Sequence, residues 1–260
     1  MNLLDPAVRT QAGIARRADL TGLAPPEPAT LLDASWRDYI YAEVWTRPGL
    51  DLRSRFLISM ASAAGARDHD ATERYARGAL HKQELTLAEL REAALHVAVY
   101  AGWTSGQVLD DAITRAATVL GLEAAKIPPI RAEPWDPAVR HKEGQANFAT
   151  VMCFGGPPPK TAYFEGGIVN FVFGEMWMRP GLDQRSRRWL TLVGVCDSSS
   201  STPIRSHIWA AMASGNATAG EMYEFVLQYA IHAGWPKGSV AQGAVMEQAD
   251  RVAKGLPFEA

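Results

Sequence analysis

Apolar and polar positions along this chain follow the three-to-four-residue period of amphipathic helices, and few stretches alternate in the manner of strands. Two kinds of helix start recur. Asp5-Pro6 and Asp136-Pro137 each place an N-cap residue before a proline at the first helical position. Thr86-Leu-Ala-Glu89 and Thr218-Ala-Gly-Glu221 have the form of capping boxes. The pattern predicts an all-α protein.

The predicted helices are separated by short breaks, and Asp51 should cap the helix that follows Arg47-Pro48-Gly49. Irregular stretches are predicted at 22–28, 127–134 and 155–160, and we interpret the second as a linker between two halves. The helices run from about Pro6 to Ala18, Leu31 to Trp45, Leu52 to Ala64, Thr86 to Tyr100, Pro137 to Val151 and Thr218 to His232, with further helices after Trp103 and Pro236.

A nine-residue segment occurs twice. Glu43–Asp51 returns as Glu175–Asp183, 132 residues later, and 19 of the 61 positions from Glu43 to Trp103 are identical at that offset. Each copy of roughly 130 residues is long enough to be a domain. We therefore predict two tandem repeats, 1–130 and 131–260, that form a fused pseudo-dimer with a near two-fold axis.

Composition and charge narrow the class of protein to which the chain can belong. With 260 residues and 47% hydrophobic content, the chain can bury a sizeable core. A net charge of −2 without a long basic run argues against a nucleic-acid partner. Cys153 and Cys196 occupy unlike positions in the two repeats, so no disulfide framework is predicted. The start of the chain resembles no leader segment and no long apolar run occurs, so we expect a cytoplasmic protein without a membrane partner.

The helix that opens at Thr86 carries Glu92, His96 and Tyr100 at a spacing that places neighbours on one face. The second repeat has Glu224, Gln228 and His232 at the same positions. A carboxylate one turn from an imidazole can tune its pKa for acid–base work. The alternative is a polar stripe at the interface between the repeats, and the sequence leaves both open.

His207 marks the place where the repeats diverge, because Tyr75 stands at the equivalent position. One short turn separates its helix from the helix of Glu224 and His232, so antiparallel packing could bring the three side chains together. These three are the candidate catalytic residues, although a lone histidine can also be purely structural. Trp209, on the helix of His207, is a candidate substrate-binding residue.

Arginine recurs in the first turn of the third helix of each repeat, where the helix dipole favours anions instead. Such guanidinium groups require a specific partner, either an internal carboxylate, which we favour, or a substrate. Arg185 and Arg187 are kept as candidate substrate-binding residues together with Glu92, His96 and Tyr100. The arginines are Arg53, Arg55, Arg185, Arg187 and Arg188.

Metal and cofactor sites are not predicted. The histidines outside the candidate site have no ligand spacing, no HExxH or cysteine pair occurs, and no glycine-rich phosphate loop is present. We therefore expect the protein to work without a metal or cofactor.

These motifs together resemble the carboxymuconolactone decarboxylase family, within the alkylhydroperoxidase D-like superfold. The resemblance rests on Glu43–Arg55, Thr86–Glu92 and His96–Trp103, which the second repeat matches. It implies helical subunits that pair and assemble into hexamers, so a trimer of this fused chain would restore the ring. The peroxidase branch of the superfold uses a Cys-x-x-Cys before its histidine, but Ser200 and Pro203 stand there before His207. A disulfide cycle therefore cannot run.

The resemblance implies a decarboxylase without a cofactor, acting on a carboxylated unsaturated lactone or a related small organic acid. In that interpretation His207 is a general acid, Glu224 or His232 sets its pKa, and Arg185 or Arg187 lies near a substrate carboxylate. The first repeat, with Tyr75, would serve as scaffold. Three alternatives remain: a dehydratase or isomerase with the same acid–base set, a non-catalytic helical binding or assembly protein, and a thiol enzyme using Cys196.

Overall fold

The computed structural model describes residues 5–124, 126–131, 136–156 and 158–259. Every regular element in these ranges is a helix, which confirms the predicted all-α class. The first half contains α1 (Pro6–Thr21), α2 (Leu31–Ser35), a first π-helix (Trp36–Val44), α3 (Leu52–Gly65), α4 (His69–His81), α5 (Leu87–Ala101) and α6 (Trp103–Val119). The second half contains α7 (Pro137–Met152), a second π-helix (Tyr163–Phe173), a 3₁₀ turn (Met176–Met178), α8 (Gln184–Asp197), α9 (Ser201–Ala213), α10 (Ala219–Ala233) and α11 (Trp235–Ala253).

The predicted helix boundaries are set by the capping residues that the sequence shows. The Asp51 side chain accepts a hydrogen bond from the Ser54 amide at the start of α3. Thr86 and Glu89 form a complete capping box at the start of α5, and Thr218 and Glu221 form its counterpart at α10. Helix α5 ends at Ala101, and the next residue, Gly102, has a φ of 90°. This backbone conformation is costly for residues with a Cβ atom.

The predicted helix from about Leu31 to Trp45 is observed, but it is not α-helical throughout. Only the five residues of α2 are α-helical, and the chain then widens into the first π-helix. Helix α1 approaches this segment closely at Gly13, where a Cβ atom would lie 1.9 Å from the Arg37 carbonyl oxygen. Helix α7 approaches the second π-helix in the same way at Gly144. An apolar periodicity cannot separate i→i+4 from i→i+5 hydrogen bonding, so the π-helices could not be predicted from the sequence.

The two halves share one hydrophobic core. Helices α3 and α8 are buried along most of their length and pack on each other. Helix α5 packs on α8 and α10 packs on α3, so each half covers the central helix of the other. Trp45, Phe56, Trp189 and Phe225 all belong to the same buried cluster.

Ion pairs between the halves occur in reciprocal sets. Arg53 pairs with Asp183 at 3.2 Å, and Arg185 pairs with Asp51 at 2.8 Å. Exchanging the repeats converts one contact into the other, as a near two-fold arrangement requires. The repeat boundary at 130/131 stays a prediction. Residues 132–134 of the predicted linker lie outside the described residues, and 127–131 are irregular. In the part of the chain that the structure describes, no helix is both long and apolar enough to cross a membrane.

Candidate functional site

Two histidine–tyrosine pairs lie between the repeats. The Tyr75 hydroxyl on α4 and the Nε2 atom of His232 on α10 share a hydrogen bond of 3.1 Å. Their rings meet edge to face with centroids 5.7 Å apart. His207 on α9 meets Tyr100 on α5 edge to face at the same centroid distance of 5.7 Å. Because Tyr75 corresponds to His207 and Tyr100 to His232, the two pairs are equivalent and differ by an exchange of residue types.

The structure does not gather His207, Glu224 and His232 into one site. Helix α9 packs on α8 and α11 instead of α10, because α11 contacts both α9 and α10 and separates them. Each histidine is consequently directed at the opposite repeat, His207 at Tyr100 and His232 at Tyr75. The antiparallel pairing of α9 with α10 that the sequence suggested is wrong.

Glu224 instead joins an ion cluster between the repeats. Its carboxylate accepts hydrogen bonds from Arg47 at 2.6 Å and from Arg55 at 3.0 Å. Burial opposes ionisation of Glu224, but the two guanidinium groups outweigh it and hold its pKa below the ordinary value. Gly49 leaves room for this carboxylate, since a Cβ atom there would lie 2.8 Å from Glu224. The expectation that Glu224 tunes His207 is therefore not met by its contacts.

Glu92 has the equivalent position in the first repeat. It accepts a hydrogen bond of 2.8 Å from Arg179 and lies 3.5 Å from Arg187. Burial again opposes ionisation, and these two arginines reverse its effect and lower the pKa of Glu92. The polar-stripe alternative thus describes both Glu92 and Glu224.

The two arginines proposed as substrate ligands have internal partners. Arg185 binds Asp51 and Glu221, each at 2.8 Å. Arg187 is buried and donates to the backbone carbonyl groups of Leu182 and Arg179, besides its contact with Glu92. This is the internal-carboxylate alternative that the sequence favoured.

Trp209 lies in a second hydrophobic cluster of the second repeat. Its Nε1 donates to the Leu256 carbonyl oxygen at 3.2 Å, and its ring packs with Phe154 and Phe258. These contacts make Trp209 a packing residue instead of a substrate ligand.

Aromatic groups surround the His207–Tyr100 pair. The Tyr100 hydroxyl accepts a hydrogen bond of 2.8 Å from Trp177 Nε1. The His96 ring lies 5.1 Å from both Tyr100 and Trp177, and its Nε2 atom is 2.8 Å from the Thr191 hydroxyl. Gln228 takes the corresponding position in the second repeat and contacts Ser59, the counterpart of Thr191.

A buried guanidinium completes this group. Arg188 on α8 is 0% exposed, donates to the Val151 carbonyl oxygen at 2.6 Å, and lies 5.0 Å over the Trp177 ring. Burial lowers its pKa to about 10, so it remains charged at neutral pH. We call the set His96, Tyr100, Trp177, Arg188 and His207 the Arg188 cluster.

Arg188 is the site residue whose importance the sequence did not reveal. The sequence places Arg188 among the first-turn arginines, and its counterpart in the first repeat is the apolar Phe56. Phe56 packs on Trp45 with ring centroids 5.3 Å apart. Aligning the repeats and asking where a charge replaces an apolar residue would have identified it.

The histidines of both pairs are neutral at pH 7. Burial, with a further contribution from Arg188, lowers the pKa of His207 to about 3. Burial lowers the pKa of His232 to about 4, although Asp68 opposes the change. Burial raises the pKa of Tyr100 to about 12. The role of general acid assumed that His207 titrates near neutral pH. The lowered pKa of His207 does not meet that assumption.

A cavity of about 440 Å³ lies between the repeats and is lined by equivalent positions of both. Tyr100 and His232 both border it, and so do Ser105 and its counterpart Lys237. His207 is not among its lining residues. Tyr100 therefore links the two features, since it contacts the cavity and also His207.

Neither cysteine provides a reactive thiolate near neutral pH. Cys196 is buried, and burial raises its pKa far above the usual value. Cys153 is exposed, and partial burial of its sulfur also raises its pKa. Among the residues described, no group of three or more side chains could hold a metal ion.

The described residues form an all-helical fold with two His–Tyr pairs between the repeats, and the sequence contains no Cys-x-x-Cys. Residues 31–125, which extend from α2 to beyond α6, match the model of the carboxymuconolactone decarboxylase family. This match confirms, for that segment, the resemblance to the family that the repeated motif predicted.

Two relatives carry decarboxylase names. The 4-carboxymuconolactone decarboxylase of Acinetobacter baylyi is 32% identical over 93 residues, which are 36% of this chain and 66% of that protein. The nitrosuccinic acid decarboxylase of Metarhizium robertsii is 37% identical over 68 residues, which are 26% of this chain and 47% of that protein. The chain thus spans just under two thirds of the first relative and about half of the second.

Proposed function

We propose that this protein is a decarboxylase of a small organic acid, such as a carboxylated unsaturated lactone, and that it works without a cofactor. The family match over residues 31–125 and the names of both relatives support the reaction type. We place the active site at the His207–Tyr100 pair because this pair lies beside the charged Arg188.

The two named substrates share the chemistry that such a reaction needs. Each is a dicarboxylic acid, and each has an electron acceptor, a conjugated lactone carbonyl in one and a nitro group in the other. When the carbon–carbon bond breaks, carbon dioxide leaves and the bonding electron pair moves onto the acceptor oxygen. A proton then returns to carbon, which balances the reaction. Because the substrate provides the electron sink, the protein needs only to orient it, stabilise the anion and deliver the proton.

We assign proton delivery to His207, which requires bound substrate to raise the pKa of its imidazole, because burial keeps that imidazole neutral at pH 7 without substrate. Its Nδ1 atom is buried and has no hydrogen-bond partner among the described residues. Tyr100, with its pKa raised to about 12, remains a hydrogen-bond donor at neutral pH and can stabilise the developing anion. We further propose that the fused chain assembles as a trimer, as the family resemblance implies.

One observation favours a second candidate, a non-catalytic helical binding protein. The His207 ring packs directly on Tyr100, and His207 is not among the residues that line the cavity between the repeats. In that case the cavity between the repeats would be the binding site and His207 a packed core residue.

Release of carbon dioxide decides between these candidates. Metal-free protein would be incubated with carboxylated butenolides and with α-nitro carboxylic acids, and carbon dioxide would be measured with and without a chelator. The proposal expects chelator-resistant release from at least one compound. Loss of water or isomerisation without carbon dioxide would identify a dehydratase or isomerase instead. Binding of these acids without any turnover would support the second candidate.

A further inference from the structure

We propose that Arg188 is the carboxylate-binding residue of the second repeat, and that the Arg188 cluster is an anion site which the first repeat lacks. The proposal rests on the proposed function only for the identity of the substrate, because anion binding can be measured without turnover.

The hydrogen bonding of Arg188 is incomplete. One terminal nitrogen donates to Val151, while Nε and the other terminal nitrogen are buried and without partners among the described residues. None of the salt bridges in the described chain includes Arg188, whereas Arg53, Arg55, Arg185 and Arg187 all pair with carboxylates. A buried charge without a counter-ion is costly, and each unmade hydrogen bond adds to that cost. A carboxylate would satisfy two donors of the guanidinium at once.

The fold itself does not require an arginine at this position. In the first repeat Phe56 fills the equivalent place, and its ring packs on Trp45 in a tilted arrangement, where Arg188 lies over Trp177. The same backbone position can therefore be packed by a purely apolar residue. A charge kept where an apolar side chain suffices indicates a ligand, not a packing role.

The neighbours of Arg188 agree with an anionic ligand. His207 on α9, Tyr100 and His96 on α5, and Trp177 face the same cluster, and none of them carries a negative charge at neutral pH. Two unpartnered imidazole nitrogens, His207 Nδ1 and His96 Nδ1, are buried there as well. Arg188 donates to the Val151 carbonyl oxygen near the end of α7, two residues before the exposed Cys153, so the cluster lies beneath the surface at that end of α7.

The bound group should be the carboxylate that the substrate keeps. Pairing with Arg188 would stabilise a departing carboxylate but not the neutral carbon dioxide that it becomes, so it would raise the barrier. A diacid escapes this penalty, because one carboxylate can bind while the other leaves. Burial is the larger cause of the lowered pKa of His207 and the positive charge of Arg188 adds to it; the bound carboxylate would offset that second contribution. Substrate binding would then raise the pKa of His207 and prepare it to donate a proton.

The test compares succinate with succinamide, its uncharged analogue, by calorimetry on the whole protein. Wild type is expected to bind succinate at least tenfold more tightly than succinamide. Arg188→Phe, which copies the first repeat, should lose that preference while its melting temperature stays equal or rises. Arg188→Lys should restore part of it. Arg205→Gln removes a half-exposed arginine of α9 and should bind succinate like wild type.

A second readout follows the imidazole of His207 by NMR, with His207→Gln used to assign the signal. Succinate should raise the pKa of His207 in wild type and leave it unchanged in Arg188→Phe. The proposal is overturned if wild type shows no preference for succinate, or if Arg188→Phe keeps it. Should Arg188→Phe not fold, the wild-type preference and Arg188→Lys still decide. Absence of carbon dioxide release with intact succinate binding would refute the proposed function alone.

Discussion

At the residue scale, the chemistry of the two sites differs at a few equivalent positions. Phe56 is replaced by Arg188, and tyrosine and histidine exchange places between Tyr75–His232 and His207–Tyr100. The sequence showed each of these differences, because the repeat offset aligns them. It could not show that each histidine meets a tyrosine of the other repeat, because an offset reports equivalence and not contact.

The buried histidines make the fold sensitive to acid. His232 has a pKa of about 4 in the folded protein, whereas an unfolded histidine titrates near 6.5. Between these values the unfolded chain binds more protons than the folded chain. The contribution of neutral His232 to the free energy of unfolding is therefore present above pH 6.5 and is lost as the pH falls towards 4. Linkage predicts a loss of about 2 kcal/mol from this residue between pH 7 and pH 5. The urea midpoints of wild type and His232→Gln at both pH values measure it.

His69→Gln is the matched control, since it removes an exposed imidazole at the start of α4. His232→Gln should show a smaller fall between the two pH values, and His69→Gln should behave like wild type. An unchanged pH dependence in His232→Gln would contradict the account.

The cysteines should be dispensable for turnover. Cys196 is buried with a raised pKa, and Cys153 has no partner thiol, so neither provides a thiolate near neutrality. The variant with both cysteines replaced by alanine is expected to keep its turnover, with a lower melting temperature from the small cavity at Cys196. Turnover would be compared at equal folded fraction, checked by circular dichroism. Loss of activity in a folded variant would restore the thiol mechanism.

At the element scale, α3, α5, α8 and α10 form the centre of the molecule and carry its paired ion clusters. Their boundaries could be predicted because Asp51, Thr86 and their counterparts are capping residues whose effect is local. The π-helices and the separation of α9 from α10 could not be predicted. Both depend on how other helices, α1, α7 and α11, pack against them.

The variant Glu224→Gln tests whether Glu224 has a structural or a catalytic role. Glu224→Gln leaves the buried guanidinium of Arg55 without its counter-ion, so we expect a loss of roughly 3–5 kcal/mol in the free energy of unfolding. At temperatures where the variant remains folded, turnover should change little. Glu247→Gln breaks a half-exposed pair with Arg205 and should cost less than about 1 kcal/mol. A large fall in turnover at unchanged stability in Glu224→Gln would return this residue to the catalytic set.

At the scale of the whole molecule, neither repeat contains a complete site. Each His–Tyr pair takes one residue from α4 or α9 and one from α5 or α10 of the opposite repeat, across a shared core. The expectation that the first repeat is only a scaffold therefore needs revision, because Tyr100 and His96 belong to the Arg188 cluster. The two sites are nevertheless chemically unequal, since only one contains an unpaired buried cation among the described residues.

The comparison of His207→Gln with Tyr75→Phe tests this inequality most directly. The two residues are equivalent in the repeats, and only His207 belongs to the Arg188 cluster. Loss of a positioned proton donor typically costs on the order of 10²–10⁴-fold in rate. Turnover and melting temperature would be measured for both variants side by side. We expect His207→Gln to lower carbon dioxide release by about that factor with a nearly unchanged melting temperature, and Tyr75→Phe to do far less. Equal loss of rate in Tyr75→Phe would show that the other pair is also catalytic and would contradict the assignment.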